Sequence, residues 1–261
     1  MNIPGYPLKW SLSHWIICVN CWSKFSEKKV DRLSKQIRCM KDLAVFSTLD
    51  IPERNKIGEL ACKRFYGKNE FLFRDGDAAD TIYLIKSGKI KLFKVSAGGK
   101  EIILDILKGD DFFGENTFFD QAEHTMNAQA MEDTYICSCT KEHFAVLLQN
   151  PQTSMKIIQL LGEKLNNYTN QVASIAFHDV KGRVAATLLK LAGEYGSRSP
   201  EGTTIDIELT HNDLASLVNA SRVMVSNVVG SLRQDGIIAT KDHRFILLDP
   251  DALSAAVENP A

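Results

Sequence analysis

Glycine is so unevenly distributed along this chain that it divides the chain into two kinds of structure. Between Leu43 and Ile136 stand Gly67, Gly76, Gly88, Gly98, Gly99, Gly109 and Gly114. A residue with no Cβ, which loses the most freedom on ordering, cannot recur at that spacing inside a long helix. The intervals hold short apolar runs: Glu70-Phe-Leu-Phe, Thr81-Ile-Tyr-Leu-Ile, Lys89-Ile-Lys-Leu-Phe-Lys-Val, Glu101-Ile-Ile-Leu-Asp-Ile-Leu and Thr134-Tyr-Ile-Cys. Runs of that length between turn residues predict an antiparallel β-sandwich or roll. From Lys89 to Val95, the apolar Ile90, Leu92 and Phe93 alternate imperfectly with Lys89, Lys91 and Lys94, as in a strand with one solvated face.

After Asn150 the pattern reverses. From Pro151, which suits a helix's first turn, to about Phe177 the only glycine is Gly162. Ile158, Leu161, Leu165, Tyr168, Val172 and Ile175 recur alternately three and four residues apart, a coiled-coil seam that predicts a homodimer. Ile157, Leu160 and Ala176 supply a second apolar stripe, so the helix is expected to pack on its own domain as well as on a partner. A second helix is expected from Val180 to Tyr195, with Val184, Leu188 and Leu191 on one face. It stops in Gly196-Ser-Arg-Ser-Pro-Glu-Gly, a polar loop expected to separate the dimerisation region from the last segment.

In that last segment Thr210 and Asp213 form a capping box for a short helix whose buried face is Leu214, Leu217 and Val218, with Ala215 small enough for a close crossing. Asn219-Ala220 makes a turn, and Ser221 caps a second helix whose inward side is Met224 or Val225, then Val228 and Leu232. Arg222, Val223, Ser226 and Asn227 are left near the start of that helix, where a recognition helix presents side chains to base edges. Arginine suits guanine and asparagine suits adenine. Two short strands around Lys241 and Arg244 read as a wing. Between Thr203 and Leu248, four Lys/Arg stand against five Asp/Glu. That balance keeps open a second reading, a cofactor-free module that binds protein through the same segment. Three of the four cations lie on the proposed recognition helix and wing, and the preceding helix adds Lys181, Arg183 and Lys190.

At 261 residues the chain has room for two cores. No apolar run approaches the roughly 20 residues that span a bilayer. The mixture of His, Ser, Asn and Cys from Trp10 to Trp22 is unlike a secretory signal, which predicts a cytoplasmic protein. The formal net charge of −1 excludes a strongly basic protein that coats nucleic acid, but not one whose positive charge is local. An enzyme built on the roll would want clustered His and carboxylates, yet that region offers only His124 and the adjoining His143, so no enzyme is expected. The six cysteines, in a chain too large to need disulfide staples, read as packing residues, metal ligands or redox sensors.

The order of segments resembles the family of the cyclic-AMP receptor protein and the fumarate and nitrate reduction regulator, the Crp/Fnr transcription regulators. The resemblance covers about residues 41 to 250. It is carried by Phe73-Arg-Asp-Gly-Asp, Tyr83-Leu-Ile-Lys-Ser-Gly-Lys-Ile-Lys, Gly109-Asp-Asp-Phe-Phe-Gly-Glu and Ala220-Ser-Arg-Val-Met-Val-Ser-Asn. It implies an α+β fold: an N-terminal extension bearing cysteines (1–40), a cyclic-nucleotide-binding-like β-roll sensor (41–150), a dimerisation helix (151–178) and a winged helix-turn-helix (179–261). It also implies that the chain binds a double-stranded DNA operator as a homodimer and meets RNA polymerase. Gly114-Glu115 match the family's ribose-binding pair, but no arginine follows to hold a cyclic phosphate, and Thr125 stands in its place. Cyclic AMP is therefore not expected as a ligand. Arg222 matches a base-contacting arginine, whereas Val223 and Asn227 replace a glutamate and an arginine, so Val223 is free to meet a thymine methyl.

Within this family, oxygen-labile iron-sulfur clusters are held by N-terminal cysteines and one in the roll. By that resemblance Cys18, Cys21, Cys39 and Cys137 are the candidate ligands. Thiol-disulfide sensing and an unidentified small-molecule effector stay open beside the cluster. So does a start at Met40, which would remove the Cys18–Cys21 pair.

Overall fold

A computed structural model describes residues 61–118 and 123–258. The cysteines at 18, 21 and 39 lie outside the described residues. The first part is the expected roll. Strands β1 (Cys62–Tyr66), β2 (Phe71–Phe73), β3 (Thr81–Ser87), β4 (Ile90–Val95), β5 (Glu101–Leu107), β6 (Phe112–Phe113), β7 (Asn127–Ala130) and β8 (Thr134–Thr140) form two antiparallel sheets. Their orders are β1-β8-β3-β6 and β2-β7-β4-β5. Tyr66, Phe73, Ile85, Ile90, Leu92, Leu107, Phe113 and Ile136 fill the core of the roll.

The imperfect alternation around β4 has a cause in β5. Leu92 pairs with Asp105 but Phe93 with Ile103, so the register slips by one residue on the β5 side. Such a bulge re-aims the side chains beyond it. Here it leaves Ile103 and Ile106 buried, with Phe93, in a cluster outside the roll's own core.

Helix α1 (Lys141–Leu147) is capped by Thr140. Asn150 then accepts bonds from the Gln152 and Thr153 amides to open α2 (Pro151–Phe177), with Pro151 in the first turn where its missing N–H costs nothing. One side of α2 lies on the roll, where Ile157 is buried and Leu160 and Leu161 pack against a cluster that includes Ile82, Leu84, Phe112, Cys137 and Phe144. The chain breaks at His178, and Asp179 caps α3 (Val180–Tyr195).

Strands β9 (Gly196–Ser199) and β10 (Gly202–Ile205) follow, then α4 (His211–Leu217), α5 (Arg222–Gln234), β11 (Ile238–Lys241), β12 (Arg244–Leu247) and α6 (Pro250–Glu258). The segment expected to be a dividing polar loop is thus a hairpin that joins the wing in a sheet ordered β11-β12-β10-β9. The alternation Gly202-Thr-Thr-Ile carries that strand, with Ile205 buried. Val184, Leu188 and Leu191 of α3 share a core with Leu214, Val218, Val225, Val229, Leu232 and Phe245.

Candidate nucleic-acid interface and sensor pocket

The helix-turn-helix is set by local capping. The Thr210 hydroxyl accepts from the Asp213 amide at 3.1 Å, while the Asp213 carboxylate accepts from the Thr210 amide at 2.9 Å. Asn219 takes a positive φ of 50°, a conformation asparagine tolerates better than most residues, and turns the chain between the helices. Ser221 then accepts from the Met224 amide at 3.2 Å to start α5.

The inward side of α5 is Val225, Val229 and Leu232. Of the two readings open at its first inward position, Val225 is the buried one and Met224 the exposed one. Val229, not singled out in the sequence, is buried, and Val228 is only partly so. Arg222, Val223 and Asn227 are exposed on the outward side, as expected. Ser226 is half-buried, and its hydroxyl lies 2.9 Å from His211 Nδ1 at the start of α4. Nothing in the local sequence pairs these residues; only the crossing of two helices does.

The wing turns at Asp242 and His243, both at positive φ, and presents exposed Lys241 and Arg244. Arg244 faces Asp206 at 3.7 Å. Arg183, counted in the sequence among the local cations, instead donates to the Val218 and His178 carbonyls, tying the end of α4 to the break between α2 and α3.

In the roll, Gly114 sits at φ 94°, and a Cβ built there would come 2.7 Å from the Thr81 carbonyl oxygen, so the turn itself requires glycine. Glu115 opens a short 3₁₀ turn (Glu115–Phe118) and pairs with Lys164 of α2 at 3.3 Å. That lysine also lies 5.1 Å from the Phe112 ring. One helical turn beyond Lys164, Tyr168 carries a buried hydroxyl with no partner among the described residues, and burial pushes its pKa up. Thr125 is exposed. Its neighbour His124 is buried with its ring stacked 3.5 Å from Phe73, and burial lowers its pKa.

The predicted seam is divided by α2. Ile158, Leu165 and Val172 are 60%, 66% and 67% exposed, whereas Leu161, Tyr168 and Ile175 are half-buried, Leu161 against the roll. One turn after each of the first two bare apolar residues stand Gly162 and Thr169, and Ala176 follows Val172. The second stripe read from the sequence holds only in part: Ile157 is buried and Leu160 packs against the roll, but Ala176 is exposed, because it falls on the same side as Val172. Lys164 and Gln171, which meet Glu115 and the Ile103 carbonyl of the roll, were not singled out.

Cys137 is buried among apolar side chains of β3, β6, α1 and α2, and burial pushes neighbouring Cys139 up to about 12. An enclosed thiol in that setting resists the thiolate form that a metal ligand needs. Among the described residues, no three His, Cys, Asp or Glu side chains group together to hold a metal ion. Among the same residues no helix is long and apolar enough to cross a membrane.

Comparison with known proteins agrees with this arrangement. Residues 63–150 match the family model of the cyclic nucleotide-binding domain, and residues 182–256 that of the Crp-like helix-turn-helix domain. The anaerobic regulatory protein of Bacillus subtilis is 30% identical over 202 residues, covering 76% of this chain and 85% of the relative. The cyclic AMP receptor protein of Thermus thermophilus is 30% identical over 177 residues, 67% and 79% of the two chains. The c-di-GMP responsive global regulator CLP of Xanthomonas campestris superposes with a TM-score of 0.67 at 25% identity, covering 76% of this chain and 99% of that one. With a roll, a long helix and a winged helix-turn-helix in that order, the chain belongs to the Crp/Fnr family of transcription regulators, which are DNA-binding proteins rather than enzymes.

Proposed function

We propose that this chain is a cytoplasmic, homodimeric regulator that binds a specific DNA operator under the control of a small-molecule or redox signal received by the roll or the N-terminal cysteines. The observation that carries this reading is the bare outward side of α5. Its inward residues are fully packed, while Arg222, Val223 and Asn227 stand exposed, as does Lys241 of the wing. Arg222 is assigned to a guanine, Asn227 to an adenine, and Lys241 to phosphate. Arg244 serves the wing through Asp206 and reaches phosphate only by leaving it.

The homodimer is supported by the heptad spacing of exposed Ile158, Leu165 and Val172 with small residues between them, which lets two copies of α2 approach closely. Two recognition helices then meet a two-fold operator. RNA polymerase is the further partner that the resemblance assigns to it.

Cyclic AMP is not the proposed signal. Glu115, which would take the ribose, is held by Lys164, and no arginine follows it up to the end of β7. A cluster on Cys18, Cys21, Cys39 and Cys137 is the redox form of the proposal, and the enclosed setting of Cys137 weighs against it. Anaerobic purification with iron and acid-labile sulfide assays decides between a cluster and an unidentified effector.

The test is selection of duplexes from a random pool by the full-length protein, followed by titration of the selected site at several salt concentrations. A sequence-preferred complex that weakens as salt rises, and weakens further in Arg222→Ala and Asn227→Ala, supports the reading. Its absence leaves the protein-interaction module, which the acidic balance of residues 203–248 favours.

A further inference from the structure

We infer that Val223, with Met224 beside it, makes the recognition helix a reader of thymine methyl groups, so that each half-site carries a thymine whose C5-methyl packs on Val223. This rests on the DNA-binding reading above and names what the helix reads. Val223 is 69% exposed and Met224 48%, although both sit in the first turn of a helix whose inward positions are already filled by Val225, Val229 and Leu232. Among the described residues neither side chain packs into a core cluster. Local physics argues against them: valine is a poor helix former, and the start of a helix favours Asp, Glu or Ser.

The polar alternative next along the helix is already engaged, because the Ser226 hydroxyl lies against His211 Nδ1 at 2.9 Å. The exposed surface of the first two turns is therefore an apolar patch between one cation, Arg222, and one amide, Asn227. Among the groups that base pairs display in the major groove, the thymine methyl is the apolar one. Ser226 and His211 accordingly act as positioning residues that hold α5 on α4.

The experiment uses the full-length protein and the duplex it selects, with each thymine replaced in turn by deoxyuridine, which deletes only the methyl. Burying one methyl corresponds to about a fourfold change in affinity. We expect about that loss at one thymine per half-site for the wild type, and little or none for Val223→Ser. That variant should melt at the wild-type temperature, because residue 223 supports no core. A sequence-specific complex indifferent to uracil at every position, or an undiminished uracil effect in Val223→Ser, overturns this inference alone. Absence of any sequence-preferred complex overturns the DNA-binding reading and this inference together.

Discussion

Asp105 is the residue whose chemistry its surroundings oppose most plainly. It lies on β5 where roll, α2 and α3 meet. Burial raises its pKa to about 6, against the partial relief of Lys190, Lys164 and the Ile106 amide, with Glu194 adding to the rise. An aspartate whose pKa is raised by folding stabilises the fold only while protonated. Its contribution is full below the ordinary value of 3.8 and is lost as pH rises through about 6. Asp105→Asn should therefore be more stable than the parent at pH 7.5, by about 3 kcal/mol at most, and should show no gain at pH 3.5. Denaturant titrations of both proteins at the two pH values check this. At the same scale, the Glu115–Lys164 pair and the absent arginine predict that millimolar cyclic AMP releases no heat by calorimetry and leaves operator affinity unchanged. A saturable heat with tightened DNA binding would refute the exclusion of that ligand.

At the scale of elements, α2 has a face covered by the roll and a bare face assigned to the dimer proposal, and substitutions should separate them. Leu165→Asp places a charge on the bare side. It should give a monomer by analytical ultracentrifugation with nearly unchanged circular dichroism, and should weaken operator binding by losing the second half-site. Ile157→Ala opens a cavity against the roll and should cost about 2–4 kcal/mol in denaturant unfolding while the oligomeric state persists. A variant of the bare face that lowers stability as much as Ile157→Ala would contradict this assignment of faces.

At the scale of the whole molecule, the winged part is docked on the roll. Phe93, Ile103 and Ile106 join the core of α3 to α5. Polar contacts surround that apolar seat: the Tyr195 hydroxyl donates to the Ile106 carbonyl, Lys108 Nζ to the Glu194 carbonyl at 2.7 Å, and Lys100 Nζ to Asn219 Oδ1 at 2.7 Å. Lys68 and Glu208 close the edge at 2.9 Å. Since Asn219 is the turn of the helix-turn-helix, the β4–β5 hairpin holds the recognition unit directly. Tyr195→Phe leaves the Ile106 carbonyl without its buried partner and should cost about 1 kcal/mol. Amide exchange should quicken in β5 and α4 together, as expected of elements that open as one unit. Exchange that quickens in α4 alone would show that the two parts open independently.

Much of this was legible in the residues because it is decided between near neighbours in the chain. Glycine spacing set strand lengths, Pro151 and Phe177 bounded α2, and Thr210 with Asp213 and Ser221 capped the two helices that carry the DNA-binding assignment. Sequence by itself therefore determined most of the elements and their order, the β9–β10 hairpin excepted, and that one helix bears exposed Arg222, Val223 and Asn227. Tertiary structure alone decided what they meet. Glu115 and Lys164 are 49 residues apart, Lys100 and Asn219 are 119, and Ser226 finds His211 only through a helix crossing. The split of the α2 seam likewise required the roll to cover one stripe, since Leu161 and Leu165 are chemically identical. The physical reason is range. Caps, turns and periodicity are short-range preferences written in adjacent side chains, whereas burial and pairing depend on which surfaces collapse together, and a β-bulge of one residue was enough to move Ile106 onto the face shared with another domain.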